Sequence, residues 1–249
     1  SLCSAAIMLS AASMPLFMAD LKRQAFLTFI IQQMTDSFIK DNEGNVGTGY
    51  SMHDISRQYK FEDLIETYHN VLTPEFCNHC IEKFQNDSRV YQGRTGIGTI
   101  LDVKRSKDLV ISQLDDWKDE DKVFFDSLNE YLTIYIEDNH EMRIGAHRNH
   151  LVDGGYQIQE TQPGDFYVWH GDFSKNNVDN GPRLLTFIWY LNDVNGDGYT
   201  EFCDGTRVYP EQGKLMIFPA TWTYLHRGYP PRHDVKYICT GWVHTTDDF

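Results

Sequence analysis

Short apolar segments follow one another closely through the second half of the chain, and this pattern limits the fold more than any other feature. From about residue 153, runs rich in β-branched and aromatic residues are separated by Gly, Asn, Asp and Pro, which is typical of strands joined by turns. The runs are YQIQETQ, DFYVWH, RLLTFIWYLND, TEFCD, TRVYP, KLMIFP and VKYICTGWV. They predict a double-sheet jelly roll (a double-stranded β-helix) or a barrel over about 153–245.

The segments before these strands have a helical pattern. In VLTPEFCNHCIEKFQND, Thr73 is suited to be the N-cap of a helix and Pro74 its first residue. SKDLVISQLDDW is predicted to form a second helix and DKVFFDSLNEYLTIYIEDN a third, which has apolar side chains along one side. Helices followed by strands predict an α+β fold, in which these N-terminal helices support one face of a sheet.

The first fifty residues are predicted to be an extension of uncertain role. Residues 19–40 have apolar positions at helical spacing, and DNEGNVGTGYS then breaks any regular structure. The main domain is therefore predicted to span 51–249. The uncharged start, SLCSAAIMLSAASMPLFMA, is compatible with a cleavable signal, an anchor or upstream sequence from a wrongly assigned gene start.

Charge and cysteine content bear on partners and compartment. The formal net charge is −14, which disfavours a nucleic-acid substrate, and nothing firm in the sequence calls for a membrane. The five cysteines are too sparse for a disulfide-stapled secreted domain, so reduced thiols and a cytoplasmic location are expected. The sequence gives no indication of the oligomeric state.

A candidate metal site begins in WHGDF, where His170 and Asp172 are separated by one residue. On a strand such a pair shares one face, so it could also be an ordinary polar edge. His226 in TWTYLHRGYPP offers a third ligand from a later strand. Two histidines and one carboxylate form the facial triad that leaves positions open on ferrous iron.

Lys236, ten residues after His226, completes a recognisable order of motifs. The chain reads YQIQETQPGDFYVWHGD, RLLTFIWYLND, GDGYTEF, YPEQGKLMIFP, LHRG and KYICTGW. From about Tyr156 to Val243 it resembles the Fe(II)/2-oxoglutarate dioxygenases, in particular their prolyl 4-hydroxylase-like branch. Two upstream segments, VLTPEFC and VKRSKDL, match the same family less closely. The resemblance implies that His170, Asp172 and His226 bind Fe(II).

The same resemblance implies a cosubstrate pocket. Lys236 would pair with the distal carboxylate of 2-oxoglutarate, although a solvated strand lysine is the alternative. Thr200 corresponds to the threonine of the family's GGxT turn, here altered to GDGYT, and helps to hold the same carboxylate. Thr161 stands where the family often has a tyrosine. Tyr167 and Trp242 correspond to aromatics on the substrate side, with plain core packing as the alternative.

The function implied is hydroxylation of a C–H bond with O2, releasing succinate and CO2, and ascorbate is an optional further cofactor. Peptidyl proline is the favoured substrate, so the expected partner is a peptide or protein. Hydroxylation of another protein side chain or a small molecule stays open, as does an inactive metal-binding module on the same fold.

Two other patterns resemble metal sites. DVNGDGYTEFCD, 193–204, has the acidic spacing of an EF-hand loop, but its flanks are strand-like and an EF-hand needs helices, so a hairpin turn is predicted. The Cys77–Cys80 and His147–His150 pairs are too far apart for a zinc finger, and the two cysteines are expected to share one helix face.

Overall fold

The structure, a computed structural model, describes residues 60–96, 98–139, 151–173 and 181–245. The predicted helix over 19–40 and the boundary after it lie outside these residues, as do His147 and His150. No helix in the described ranges has both the length and the apolar character needed to span a membrane.

Two α-helices precede most of the strands. Helix α1, Pro74–Gln85, begins as the sequence predicts, because the Thr73 side chain accepts a hydrogen bond from the Phe76 amide and Pro74 occupies the first turn. Helix α2, Lys118–Asp138, buries one side of its surface, including Phe124 and Leu128. Two short 3-10 helices, Phe61–Leu64 and Asp115–Trp117, are the other helical segments of the described ranges.

The helix predicted for SKDLVISQLDDW is wrong. Residues Lys107–Val110 form a strand, β3, and Asp115–Trp117 form the 3-10 helix. β3 pairs with two other strands, so its backbone groups are satisfied by the sheet, and Leu109 packs into the core. Pairing with distant strands decided the structure here, as is usual for short β-branched segments.

Within the described residues, twelve strands form two sheets. The larger sheet has the order β1-β10-β7-β12-β5-β3-β2, with β4 also paired to β12, and the smaller one has the order β6-β11-β8-β9. The strands not yet given are β1 Glu66–Tyr68, β2 Tyr91–Gln92, β4 Leu151–Asp153, β5 Gln157–Thr161, β6 Tyr167–His170, β7 Arg183–Tyr190, β8 Thr200–Phe202, β9 Arg207–Val208, β10 Lys214–Pro219, β11 His226–Gly228 and β12 Lys236–Thr245. The described pairings between strands are antiparallel, in keeping with a jelly roll.

The two faces of the central strands pack into two different hydrophobic cores. In β7, Leu185, Phe187 and Trp189 pack in the cluster that contains the buried faces of α1 and α2. Ile188 and Tyr190 pack instead with Phe202 and Phe218 between the two sheets. Alternate side chains of a strand point to opposite faces, so each long strand contributes one row to the helix side and one row to the inside of the jelly roll.

Candidate active site

The three predicted ligands come together at one end of the smaller sheet. His170 ends β6 and His226 begins β11, and the two residues are direct partners across this antiparallel pair. Asp172 follows His170 by two residues, with its Oδ1 3.7 Å from His170 Nε2 and its Oδ2 3.6 Å from His226 Nε2. The three ligating atoms all lie within 4.8 Å of one another, a spacing that suits one shared metal ion.

Backbone carbonyls orient both imidazoles. His170 Nδ1 lies 2.8 Å from the Val168 carbonyl, and His226 Nδ1 lies 3.1 Å from the Tyr224 carbonyl. A carbonyl only accepts, so Nδ1 carries a proton in each ring and Nε2 is the nitrogen left to bind a metal. This is the tautomer that a metal-binding histidine requires, with its second nitrogen held by a hydrogen bond.

The carboxylate is fixed as firmly as the histidines. Asp172 Oδ2 accepts a hydrogen bond of 2.7 Å from the Thr186 hydroxyl, and the Asp172 carbonyl accepts one of 3.2 Å from Arg183. Burial acts to raise the pKa of Asp172, but His226, His170 and the Thr186 donor outweigh it and hold this pKa below its usual range. Burial and the neighbouring His226 lower the pKa of His170 to about 4. Two imidazoles and one carboxylate therefore converge, and this donor set fits Fe(II).

Lys236 is a buried cation with no acidic partner among the described residues. Its side chain reaches into the pocket from β12, and its Nζ donates a 2.9 Å hydrogen bond to the Gly198 carbonyl. Burial lowers the pKa of Lys236 to about 8. A buried ammonium is costly unless a negative charge meets it, so its surroundings fit an anionic ligand such as the distal carboxylate of 2-oxoglutarate.

Two threonines lie near this lysine in the same pocket. Thr161 is the direct partner of Lys236 across the β5–β12 pair. Thr200 Oγ1 lies 2.8 Å from the hydroxyl of Tyr190, which is fully buried between the sheets. Both threonines are buried, so their hydroxyls are available to a ligand within the pocket rather than to bulk water.

Tyr167 and Trp242 form aromatic walls of the pocket. The Tyr167 ring stacks on the His170 ring with centroids 3.5 Å apart, and burial raises the pKa of Tyr167 to about 12. The Arg183 guanidinium lies over the Trp242 ring, with its Cζ 3.4 Å from the centroid. The nearby Trp242 indole N–H helps to lower the pKa of Asp172, although the two groups do not reach hydrogen-bonding geometry. Arg183 Nε likewise has no acceptor among the described residues.

The comparisons with known proteins agree with this geometry. Residues 156–244 match the 2OG-Fe(II) oxygenase superfamily. Residues 156–244 therefore belong to a 2-oxoglutarate–Fe(II) oxygenase domain. No curated protein matches the sequence.

Solved prolyl hydroxylases share the fold of this oxygenase at low sequence identity. A viral collagen prolyl hydroxylase from Paramecium Bursaria Chlorella virus-1, bound to 2-oxoglutarate, is 17% identical with a TM-score of 0.51, covering 72% of this chain and 95% of its own. A prolyl hydroxylase from Trichoplax adhaerens, in complex with a hypoxia inducible factor peptide fragment, is 14% identical with a TM-score of 0.56, covering 73% and 84%. A Pseudomonas putida prolyl-4-hydroxylase is 15% identical with a TM-score of 0.50, covering 73% and 92%.

All of the residues that the sequence singled out line one pocket of the oxygenase. They are Thr161, Tyr167, His170, Asp172, Thr200, His226, Lys236 and Trp242. Sequence reasoning missed others, which are Lys104, Arg105, Gln159, Thr186 and Thr240. Thr186 and Thr240 could have been found by alternation, since they occupy the inward positions of β7 and β12.

The two other predicted patterns have structural roles. The turn after β7 joins strands rather than helices, but β7 belongs to the larger sheet and β8 to the smaller one, so the two strands do not pair and the predicted hairpin is wrong. The acidic groups of this turn are engaged: Asp193 accepts from the Gln212 amide, and Asp197 pairs with Arg232 at 2.5 Å. Cys77 and Cys80 are free thiols on the buried face of α1.

Proposed function

We propose that this oxygenase hydroxylates a peptidyl proline, with Fe(II) bound by His170, Asp172 and His226 and with 2-oxoglutarate as cosubstrate. The observation that carries the proposal is the pairing of two features in one pocket. One is a converging set of two imidazoles and a carboxylate, and the other is a buried ammonium, Lys236, without an acidic partner in the described part of the chain. A metal and a dicarboxylate would satisfy both.

The bound iron and 2-oxoglutarate would supply oxidising power from O2, with succinate and CO2 released as the substrate C–H bond becomes C–OH. The protein's own residues orient and shield these partners. Lys236 neutralises the distal carboxylate, while the hydroxyls of Thr200 and Thr161 offer it hydrogen bonds within the pocket. Since all three side chains are buried, water competes little with these interactions.

Two buried donors beside Asp172 are left for a substrate to satisfy. Arg183 Nε and Trp242 Nε1 are buried and have no hydrogen-bond partner among the residues that the structure describes, and both belong to side chains beside Asp172. A peptide backbone offers carbonyl acceptors that would satisfy them. Tyr167 and Trp242 present flat apolar rings, which suit a pyrrolidine ring that has no N–H of its own.

The structural neighbours add support for a peptide substrate. All three of the proteins compared above are prolyl hydroxylases, and that from Trichoplax adhaerens holds a peptide fragment. The low identities leave the sequence around the target proline open.

A peptide screen tests the proposal. Purified protein is incubated with Fe(II), 2-oxoglutarate, ascorbate and a library of proline-containing peptides, and mass spectrometry detects gain of one oxygen atom. The expected result is a hydroxylated proline formed in step with succinate, and loss of both with His170→Ala. Oxygen added to a different residue in the best peptides would contradict proline as the target. Succinate formed without any peptide product, but stimulated by a small molecule, would contradict the peptide class.

A further inference from the structure

A second lysine reaches the same pocket as Lys236, but its charge is already neutralised. Lys104 lines the pocket, and its Nζ lies 2.7 Å from Asp108 Oδ2. The exposed fractions of the two side chains are 5% and 0%, so the pair is almost dry. Of the ion pairs that join Lys or Arg to a carboxylate in the described residues, this is the most completely buried.

Further hydrogen bonds hold the Asp108 carboxylate in position beside Lys104. Asp108 Oδ1 accepts a 2.7 Å hydrogen bond from the Ser106 hydroxyl, and Gln157 Nε2 approaches Oδ2 at 3.4 Å. Asp108 lies on β3, whose pairing with β5 fixes the backbone. A buried ion pair adds little stability compared with well-packed apolar residues, so stability alone is a poor reason for placing one in an active-site wall.

Lys104 is held against the wall that carries the metal ligands. Its Nζ lies 5.5 Å from the centre of the Tyr167 ring, and Lys104 and Tyr167 form an isolated β-bridge. Tyr167 in turn stacks on His170. Without Asp108, the pocket would thus expose a second buried ammonium beside the proposed iron site.

Such a second ammonium would matter because the cosubstrate and its product both carry two carboxylates. Succinate lacks the keto group, so little besides charge would hold it. We propose that Asp108 neutralises Lys104 so that Lys236 is the single lysine of the described pocket wall open to a carboxylate. This selects one direction of binding for 2-oxoglutarate and keeps succinate weakly bound. The inference rests on the proposed function, since it assumes that Lys236 binds a dicarboxylate.

Two single substitutions should act in opposite directions. Asp108→Asn keeps a hydrogen-bonding group of the same shape for Ser106 but frees the Lys104 charge. We expect succinate to bind about tenfold more tightly at pH 7, the usual effect of one added charge-assisted hydrogen bond. Lys104→Met leaves the buried Asp108 carboxylate behind the pocket wall without its cation, so succinate and 2-oxoglutarate should bind more weakly. Isothermal titration calorimetry with each dicarboxylate measures both changes, and the inhibition constant of succinate in turnover gives a second readout.

Two control variants separate charge from folding. The double variant Lys104→Met/Asp108→Asn has neither charge and should return succinate binding to within a few-fold of the wild type. Glu120→Gln removes a buried carboxylate from Lys83, between α1 and α2 and away from the pocket, and should leave succinate binding unchanged.

The outcomes separate a failure of this inference from a failure of the proposed function. If the wild type binds 2-oxoglutarate but Asp108→Asn and Lys104→Met shift succinate binding in the same direction, or not at all, the inference is wrong and the function stands. If Asp108→Asn does not fold, an unchanged dicarboxylate affinity in Lys104→Met overturns the inference by itself. If the wild type binds neither dicarboxylate, the proposed function is wrong, and this inference is wrong with it.

Discussion

Replacing Lys236 by Met should make the protein more stable while it weakens cosubstrate binding. Burial lowers the pKa of Lys236 from 10.5 to about 8, which means that keeping it protonated at pH 7 costs about 3 kcal/mol of folding free energy. Methionine has a similar length and no charge, so this cost disappears. The hydrogen bond to the Gly198 carbonyl is also lost, which offsets about 1 kcal/mol. The expected net gain is about 2 kcal/mol, or roughly 4–8 °C in Tm for a domain of this size.

The gain should depend on pH with a defined sign. The pKa of Lys236 is lower in the folded protein than in the unfolded chain, so the unfolded chain binds the extra proton between about pH 8 and 10.5. Wild-type stability therefore rises through this window, and the advantage of Lys236→Met shrinks and vanishes above it. Cosubstrate affinity should change the other way. Removing one partner of a buried charge pair costs about 2–5 kcal/mol, which corresponds to at least roughly thirtyfold weaker 2-oxoglutarate binding.

Urea denaturation across the pH range and calorimetric titration with 2-oxoglutarate measure these two effects. Lys214→Met is a matched control, because Lys214 is also buried on a strand but has an acidic partner, Glu211, 3.1 Å away. It should not stabilise the protein, and it should leave 2-oxoglutarate binding unchanged. A less stable Lys236→Met variant at pH 7, or one that binds 2-oxoglutarate as the wild type does, would refute the reasoning.

Three further predictions concern the same pocket. Thr186→Val removes the hydroxyl that holds Asp172 and should weaken metal binding by about 10–100-fold in a competition titration with a chelator, whereas unchanged affinity would show that Asp172 needs no such support. Gly198→Ala places a methyl group 3.0 Å from Val194 at a φ of +77°, so it should lower Tm. It should also raise the KM for 2-oxoglutarate, because it moves the Gly198 carbonyl that Lys236 contacts. A lower Tm with an unchanged KM would contradict this link between the turn and the cosubstrate. Affinity for 2-oxoglutarate should fall as the pH rises past about 8, because free Lys236 then loses its proton, and a flat profile in calorimetry would count against the lysine as the anchor.

The elements that could be predicted from the sequence are those that depend on neighbouring residues or on side chains of a distinctive chemical type. The strands between residues 156 and 243 could be predicted because turn residues bound them and their inward and outward rows differ in chemistry. His170, Asp172 and His226 could be grouped because a metal site demands side chains of these types, and their order along the chain is distinctive. The predicted N-cap at Thr73 was correct because it depends on neighbouring residues alone.

The parts that sequence reasoning missed depend on distant pairing. The segment around Leu109 becomes a strand because β5 and β2 are there to pair with it, and neither partner is close in sequence. Lys104 enters the pocket because its segment forms a bridge with Tyr167, sixty-three residues later. Arg183 lies on Trp242 because β7 and β12 are neighbours in the sheet. None of these contacts has a local signature.

Anaerobic titration with Fe(II) followed by 2-oxoglutarate tests the central claim most directly. A keto acid chelated to ferrous iron gives a weak visible charge-transfer band, so its appearance reports metal and cosubstrate bound together. The account predicts the band in the wild type, its absence in His226→Ala, and its appearance only at higher 2-oxoglutarate concentration in Lys236→Met. Absence of the band from folded, iron-loaded wild-type protein would contradict the account.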